Sequence, residues 1–482
     1  MIDLRPIVYV LGRILIVLAI LMLAPAIIDY RAGLPNGLDF LESAIVTGAV
    51  GGLLALATAN AVGQGLTVRQ AYLLTVAIWT VLPIFGGLPF MLGQPYLTFT
   101  QAYFEAASGF TTTGSTVITG LDRLPDGMNL WRGMMNSFGG LGIAFVAMIF
   151  LPVMRVGGMQ YFKTEGFDTL GKSLPRATDI ARQLVTVYFG LTLICALTYR
   201  GLGMSALDAI VCAMATIATG GFAPMDASFG KYPGAIEYAG AAFMILGSLP
   251  YIRYVQLVSG QSRPLWRDAQ TRAYLRWIAL AVGSVTLWRV LTSDMAIEPA
   301  LRESLFNLVS IFSGTGFFSG SFANWGGYML VVAFVIGVIG GCSGSSSGAL
   351  SVFRVQIAAK VLAAQIRQIA MPSRVSVVKY DGQNVQDDVI NGLILFITGY
   401  VLVIGVMSVA VTLTGVDMYS ALWAVWTSIG NIGYGFGPLV LRTGTFVDFP
   451  NAAIWLMSVT MILGRLGLLS ILVVLLPRFW RS

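Results

Sequence analysis

Four short stretches rich in glycine and threonine carry the residues best suited to chemistry in this sequence. The first, FTTTGST, runs from Phe110 to Thr116, and degenerate copies of it lie at 216–222, 313–317 and 430–435. A cation that leaves water needs oxygen ligands in its place, and rings of backbone carbonyls supply them without formal charge. Glycine accepts at no steric cost the backbone angles that turn successive carbonyls toward one axis. We therefore predict that the four stretches meet on one axis and form an ion-selectivity filter.

Three of the four stretches have a threonine directly before the candidate filter glycine, and the threonine hydroxyl can add a ligand at the inner mouth. The fourth has Asn431 and Ile432 before its glycine, so its inner site is expected to be weaker. The alternative is that all four are tight loops whose glycines pack helices, as is common in membrane proteins. The predicted filter residues are Thr112, Thr113, Gly114, Ala218, Thr219, Gly220, Gly314, Thr315, Gly316, Asn431, Ile432 and Gly433.

The composition of the chain indicates its class. Of the 482 residues, 56% are hydrophobic and only 11% are charged, whereas soluble domains carry about 25% charged residues. Repeated apolar runs of spanning length indicate a polytopic membrane protein. The sequence contains no histidine, which removes the commonest metal ligand and general base. Cys195, Cys212 and Cys342 show neither a disulfide framework nor the spacing of a metal site.

A hydropathy pattern recurs four times after the second apolar run. Each copy has a spanning apolar segment, a shorter half-apolar segment, a Gly/Thr loop and a second spanning segment, which is typical of a repeated two-helix module. The predicted outer, pore and inner helices are 71–92, 99–110 and 131–154 in the first module, 183–200, 205–217 and 235–252 in the second, 273–292, 300–312 and 327–352 in the third, and 389–413, 417–429 and 452–476 in the fourth.

The predicted fold is an all-α polytopic membrane protein with four pseudo-repeated helix–pore loop–helix modules around one central pore. Two extra N-terminal transmembrane helices precede the modules. The first apolar run, 8–28, contains small residues compatible with a signal peptide, but its length favours a spanning helix. The predicted boundaries are 1–66 for the two leading helices and 67–160, 177–262, 270–372 and 385–482 for the four modules, of which the third has an interrupted inner helix.

Lysine and arginine are concentrated in the loops that follow the first three inner helices, at 155–182, 253–276 and 354–379. The loops beside the filters carry at most one or two basic residues per module. Because basic loops face the cytoplasm, the filters are predicted to lie toward the outside and both termini inside. Ten spans, two leading and eight in the modules, agree with that orientation.

The third inner helix is interrupted by the stretch from Gly340 to Gly348, in which every residue except Cys342 is glycine or serine. Each glycine costs a helix about 1 kcal/mol relative to alanine, so a regular helix is not expected here. This stretch, which we call the Gly/Ser loop, lies either at the cytoplasmic edge of the membrane or inside the membrane below the filter.

Arg465 lies near the middle of the fourth inner helix. An arginine facing lipid is costly, so it is expected to face the bundle interior or water. The alternative is that its side chain snorkels to the cytoplasmic side or bonds loop carbonyls.

Acidic residues are few near the predicted filters. Glu105 and Asp208, in the first two pore helices, could attract cations or relay protons, but local hydrogen bonding is the more common role. Asp122, Asp126 and Asp226 follow the filters on the outer side. They either concentrate cations at the mouth or are solvated loop charges.

Beyond the four filter stretches, further motifs stand in a fixed order: 114–122, then 131–142 with FGGLG at its end, then 340–348 and GRLG at 464–467. In these motifs and over essentially its full length the sequence resembles the Trk/Ktr/HKT superfamily of potassium transporters, specifically its TrkH type. The resemblance implies four pore modules around a potassium pathway, potassium as the bound ion, and a homodimer in the bacterial cytoplasmic (inner) membrane. It also implies potassium preference, because relatives that prefer sodium often have serine where this chain has Gly114.

The same resemblance implies a gate, in which the Gly/Ser loop blocks the pore and moves aside while an arginine points into the pore below the filter. It further implies a cytosolic nucleotide-binding regulatory ring, similar to TrkA, docked on loops such as 163–168 and 377–382. This chain itself has no GxGxxG or Walker A motif. The implied gate residues are Gly340, Gly341, Cys342, Ser343, Gly344, Ser345, Ser346, Ser347, Gly348 and Arg465.

We predict potassium-selective uptake, with the lipid bilayer as the surrounding partner and no nucleic acid. The close alternative is a symporter that couples potassium to protons or sodium, although the absence of histidine and the small number of intramembrane acids disfavour obligatory proton coupling. The distant alternative is a membrane-embedded enzyme, which needs catalytic groups that we do not find, since the sequence has no HExxH, GxSxG or paired intramembrane aspartates.

Overall fold

The computed structural model describes residues 2–61, 66–145, 177–258, 260, 263–293, 295–320, 322, 325–373 and 377–480. Helices dominate these residues, and the β-structure among them is a small antiparallel hairpin, Lys379–Tyr380 with Gln383–Asn384. The all-α fold predicted from the sequence is confirmed. Most of the basic loop predicted after the first inner helix, including 163–168, lies outside the described residues.

Two long helices, Arg5–Arg31 and Asn36–Ala57, form an antiparallel hairpin at the start of the chain. Their backbones approach closely where two glycines meet. A Cβ on Gly12 would lie 2.7 Å from the Gly51 carbonyl oxygen, and a Cβ on Gly51 would lie 2.8 Å from the Gly12 carbonyl oxygen. The two helices therefore pack with no side chain between them at this point, as small residues allow in membranes.

Each of the four modules has an outer helix, a short pore helix, a filter loop and an inner helix. The outer helices are Val68–Gly86 with its continuation Leu88–Leu92, Ala177–Gly201, Ala269–Ser293 and Asp387–Thr412. The pore helices are Phe99–Phe110, Ala206–Ile217, Ile297–Ser313 and Met418–Gly430. The inner helices begin as Asp126–Phe145, Ala235–Gly247, Gly327–Ile339 and Asn451–Leu466. Short helical turns are Ala59–Ala61, Leu121–Arg123, Ser228–Lys231, Arg263–Arg267, Pro438–Thr443 and Pro477–Trp480.

The inner helices of the second, third and fourth modules are broken. The second bends by 90° before it continues as Tyr251–Val258, so the prediction of one continuous helix over 235–252 is wrong. Pro250 lies in this break, and a proline has no amide to donate to a helical hydrogen bond. The third inner helix is interrupted between Ile339 and the helix Val352–Ala370. The fourth breaks at Gly467 before the helix Leu468–Leu475, so the prediction of one continuous helix over 452–476 is also wrong.

Six of the described helices, the two leading and the four outer ones, are long and apolar enough to cross a membrane, and the bent second inner helix makes a seventh. Large apolar side chains on them face outward, such as Leu280 and Val406, which are 71% and 64% exposed. Exposed apolar surface of this extent is suited to lipid. The first pore helix is enclosed by the other helices, since every residue from Ala102 to Phe110 is buried.

We predict that Gly51→Ala destabilises the leading hairpin and that Gly52→Ala, its neighbour, does not. A Cβ on Gly51 would lie 2.8 Å from the Gly12 carbonyl oxygen, whereas a Cβ on Gly52 would have no neighbour within 4 Å. Overpacking of this kind costs about 1–3 kcal/mol. Thermal unfolding of the two purified variants in detergent measures the difference, and equal melting temperatures would contradict the close packing.

Candidate ion-conduction site

The four filter loops share one backbone conformation at the ends of their pore helices. Their first residue has a left-handed backbone, with φ of 50° at Thr112, 51° at Thr219, 75° at Gly314 and 50° at Asn431. The amide of the second residue donates to a carbonyl five positions back, from Thr113 to Ser108, Gly220 to Ala215, Thr315 to Ser310 and Ile432 to Thr427. The third residue is a glycine with positive φ, namely Gly114, Gly221, Gly316 and Gly433.

The repeated conformation corrects the register of the second loop. The sequence places Gly220 in line with Gly114, but the glycine with the matching positive φ is Gly221. The reason is that Thr219 takes the left-handed first position, which few residues other than glycine and asparagine adopt readily. Ala218 then lies one position before the filter conformation, with an ordinary helical backbone.

Neighbouring loops touch backbone to backbone around a closed ring. A Cβ on Gly114 would lie 2.5 Å from the Gly220 carbonyl oxygen, so the first loop contacts the second with no room for a side chain. The same relation repeats at every seam: a Cβ on Gly221 would overlap the Thr315 carbonyl, one on Gly316 the Ile432 carbonyl, and one on Gly433 the Thr113 carbonyl. The fourth loop therefore meets the first, and the four loops enclose one axis.

The carbonyl oxygens of the second filter residues lie at the seams between neighbouring loops. The amides of the second filter residues are already bonded within their own loops, and the residues that follow are glycines without side chains. Each pore helix also directs its C-terminus, which carries a partial negative charge, at the loops. A cavity of about 270 Å³ adjoins the ring, and the glycines that line it are, among others, Gly114, Gly221, Gly316 and Gly433.

Glu105 braces the first filter loop from behind. Its carboxylate accepts hydrogen bonds from the Thr116 hydroxyl at 2.9 Å and the Val117 amide at 3.0 Å. It also forms a buried ion pair with Arg132, whose Nε lies 2.9 Å away, and Arg132 donates to the Ala223 carbonyl of the second loop at 2.8 Å. Glu105 therefore has the local hydrogen-bonding role that is expected from the sequence. Arg132 was not among the residues predicted from the sequence, although a lone arginine in an apolar segment is itself a signal of a functional residue.

Asparagines tie the filter loops to one another and to the inner helices. Asn136 donates to the Gly109 carbonyl at 2.9 Å and accepts from the Phe222 amide at 3.1 Å, which joins the first and second loops. In the fourth loop, Asn431 Nδ2 donates to the Thr113 hydroxyl at 2.9 Å. This hydrogen bond links the fourth loop to the first.

Asp226 links the first two modules, and Asp208, at the start of the second pore helix, bonds a lysine of its own module. Asp226 accepts the amides of Gly120 and Leu121 at 3.0 and 2.9 Å, and Asp208 accepts Lys231 Nζ at 3.2 Å. Partial burial lowers the pKa of Lys231, but its hydrogen bond and charge interaction with Asp208 outweigh this, so the pKa lies above its ordinary value. Both aspartates thus have bonded partners that position the loops.

The Gly/Ser loop bonds to the break in the second inner helix. The Cys342 amide donates to the Ser248 carbonyl at 3.1 Å, and the Tyr251 amide donates to the Gly344 carbonyl at 2.9 Å. The Tyr251 hydroxyl also lies 2.8 Å from the Ser346 hydroxyl. The backbone groups that the bend frees in the second module are therefore satisfied by the Gly/Ser loop of the third.

The other side of the Gly/Ser loop rests against the filter. A Cβ on Gly348 would lie 2.5 Å from the Gly430 carbonyl oxygen, and a Cβ on Gly314 would lie 3.6 Å from the Ser347 hydroxyl. The Gly/Ser loop is therefore in contact with the end of the fourth pore helix and with the first residue of the third filter loop.

Arg465 reaches the same loop from the fourth inner helix. Its Nη2 donates to the Ser346 carbonyl at 2.6 Å, and the residue is only 7% exposed. Its side chain therefore does not snorkel away; it bonds a loop carbonyl inside the bundle. The structure thus brings together the Gly/Ser loop, Arg465 and the filter.

The chain was compared with known proteins. Residues 37–481 match the TrkH family model, described as a cation transport protein. The potassium uptake protein TrkI of Halomonas elongata is 38% identical, over 99% of this chain and 97% of its own. TrkH of Escherichia coli is 33% identical over 99% of both chains.

A solved structure agrees with these sequence matches. The crystal structure of the potassium transporter TrkH from Vibrio parahaemolyticus superposes with a TM-score of 0.92 at 31% identity and covers 100% of both chains. The chain therefore belongs to the TrkH family of cation transport proteins.

Proposed function

We propose that this chain takes up potassium across the cytoplasmic membrane through the four-loop ring. The main support for this proposal is the closed ring of backbone contacts. At each contact a filter glycine lies so close to the neighbouring loop that no side chain fits. Relatives are named potassium uptake proteins or a potassium transporter, which supports potassium as the transported ion. Those names describe transport proteins, so the chain is not an enzyme.

The residues that bind the ion are the three central positions of each loop, with carbonyl oxygens as ligands. The second loop enters this set in its corrected register. The proposed residues are Thr112, Thr113, Gly114, Thr219, Gly220, Gly221, Gly314, Thr315, Gly316, Asn431, Ile432 and Gly433.

The membrane potential supplies the driving force, about 2.3 kcal/mol per charge per 100 mV. Buried Glu105 is bonded to Arg132 and to backbone, so it is not free to relay protons. A potassium symporter is therefore the second candidate rather than the first.

The Gly/Ser loop and Arg465 form the gate. Loop contacts with both Gly314 and Gly430 support this role, because the loop lies against the filter where an ion must leave it. The hydrogen bond from Arg465 to the Ser346 carbonyl holds the loop in the conformation described, and opening requires this bond to break.

A second copy of the chain and a cytosolic regulatory ring complete the assembly. Relatives are named as parts of a Trk system, which supports a separate regulatory partner similar to TrkA. The basic loops predict a cytoplasmic face with both termini inside, where such a ring would dock.

Ion flux in proteoliposomes tests the proposed function. We expect potassium entry that follows an imposed negative-inside potential and greatly exceeds sodium entry. Flux that requires a second ion gradient would instead establish symport, and no flux of either ion would contradict a transport role.

The filter assignment predicts loss of selectivity in Gly114→Ser and in Gly221→Ser. Each side chain must enter a seam that is closed by backbone, at a left-handed position. Loss of the ligands from one of the four loops weakens potassium binding by about 1 kcal/mol. This corresponds to about a fivefold fall in the potassium-to-sodium flux ratio. Gly190→Ser is the matched control, because a Cβ there would have no neighbour within 4 Å. Unchanged ratios in both filter variants would remove the assignment.

The gate assignment predicts faster conduction in Arg465→Ala. A fixed positive charge at about 7 Å from a passing cation raises its energy by roughly 0.6 kcal/mol in water and roughly 2.4 kcal/mol at an effective dielectric of about 20. Removal should therefore speed potassium flux by roughly threefold to fiftyfold if this barrier limits the rate. Arg465→Lys keeps the charge but loses part of the loop contact, so its flux should be intermediate. A folded Arg465→Ala protein with unchanged or slower flux would refute the role.

A further inference from the structure

An apolar cavity lies between the first leading helix, the first outer helix and the first inner helix. Its volume is about 360 Å³. The described residues that line it carry no charge, and the hydroxyl among them, on Thr75, donates to the Ala71 carbonyl of its own helix at 2.7 Å. A water in a cavity needs two to four polar partners, whereas apolar cavities of about 150 Å³ stay dry and admit benzene. The cavity is therefore suited to hydrocarbon rather than to water.

One wall of the cavity is a stripe of the first inner helix. Phe138, Gly142 and Phe145 line it, and their spacing of four and three positions places them on one helix face. All three are partly exposed. A Cβ on Gly142 would have no neighbour within 4 Å, so the space in front of this glycine is open. Phe110, the last residue of the first pore helix, also lines the cavity, which therefore lies behind the first filter loop.

The cavity opens on the outward side of the first leading helix. Val17 lines it and is 55% exposed. This residue lies near the middle of the helix Arg5–Arg31, whose 27 residues span about 40 Å at 1.5 Å per residue. The hydrocarbon core of a bilayer is about 30 Å thick, so the middle of the helix lies at the depth of the lipid tails. The groups that meet the opening are therefore acyl chains.

Arg13 places a positive charge on the N-terminal side of the opening. It lies one helical turn before Val17 on the same face, and the residue is exposed. Its Nη1 donates to the Tyr9 hydroxyl at 2.8 Å, so the guanidinium extends toward the N-terminal end of the helix, as basic side chains do when they reach for a membrane surface. A guanidinium matches the geometry of a phosphate. The apolar cavity and the cation are thus arranged like the tail and the head group of a lipid.

We propose that one acyl chain of a phospholipid fills this cavity while the phosphate of the same lipid contacts Arg13. A phospholipid fits better than a free hydrocarbon, because it supplies both groups and surrounds the opening in the membrane. The bound chain packs against Phe138 and Phe145 of the first inner helix, behind the first filter loop. The site does not depend on which cation the protein conducts.

A brominated phospholipid provides a direct test, because bromine scatters anomalously. Crystals of the full-length protein grown with phosphatidylglycerol that carries bromine midway along one acyl chain should show an anomalous peak in the cavity. Gly142→Phe should abolish the peak, because the phenyl ring takes the space of the chain. Gly190→Phe should retain it, since Gly190 does not line the cavity and a Cβ there also has no neighbour within 4 Å.

Two results with the wild-type protein would overturn the proposal. One is an empty cavity in crystals that contain the brominated lipid. The other is density in the cavity without bromine, which would mean that detergent, a second copy or another segment of the chain occupies it.

Thermal unfolding in detergent tests the same site in solution. At a phosphatidylglycerol concentration 100 times the dissociation constant, binding favours the folded state about 100-fold, so the melting temperature of the wild type should rise when the lipid is added. Gly142→Phe should lose this rise and Gly190→Phe should keep it. Both variants replace a helical glycine, so their changes in helix propensity match. An equal rise in all three proteins would mean non-specific stabilisation and would refute the site.

Arg13→Gln tests the phosphate contact at an exposed position, where the packing of the core is unchanged. A basic residue near the membrane surface attracts an anionic lipid by about 1 kcal/mol, so this variant should need about a fivefold higher lipid concentration for the same rise in melting temperature. Arg276→Gln is the matched control, because Arg276 is also exposed on a spanning helix and bonds four positions back, to the Arg272 carbonyl. If the two variants respond to the lipid alike, the head group does not lie at Arg13 and the proposal fails.

Discussion

The structure depends on a ring of seams that admit no side chain. At each seam a glycine of one filter loop lies against the carbonyl of the next, and a single added carbon would collide with it. The pore helices must therefore end at matched depths. The inner helices must also pass close behind, and they do so at glycines: a Cβ on Gly139 would overlap the Phe110 carbonyl, and one on Gly464 the Ile429 carbonyl. At these positions glycine marks contact between backbones.

The broken inner helices are the second consequence of that geometry. A continuous helix keeps its carbonyls and amides to itself, so it offers nothing to a neighbouring segment. The bend in the second module frees the Ser248 carbonyl and the Tyr251 amide, and both bond to the Gly/Ser loop. The loop, which is too rich in glycine to be a helix, thus gains the hydrogen bonds that a helix would have provided. The two irregular segments thus satisfy one another's backbone groups.

The sequence was most informative where the fold follows from hydropathy. The first pore helix was predicted at 99–110 and is observed at Phe99–Phe110, because an amphipathic run followed by a Gly/Thr loop leaves little choice. The sequence was least informative where backbone dihedral angles determine the register of a loop. The sequence does not indicate that the backbone of Thr219 is left-handed. The predicted filter residues of the second loop therefore lie one position too early in the chain. The break at Pro250 was also missed, since an apolar run of spanning length outweighed one proline. The sequence does not indicate that distant residues such as Arg132 and Ala223 bond to one another.

The cyclic order of the loops has a consequence for the way the chain folds. The Asn431 amide donates to the Thr113 hydroxyl across 318 positions of sequence, so the first loop lacks one of its two neighbours until the last module is present. Contacts between such distant segments form slowly, because the intervening chain must be ordered first. During synthesis the first three modules can insert in the membrane, but their filter loops then form an open arc rather than a closed ring. Completion of the ring is then a late event that closes the two seams of the fourth loop, and a chain that stops before the fourth module leaves the first and third loops with one neighbour each.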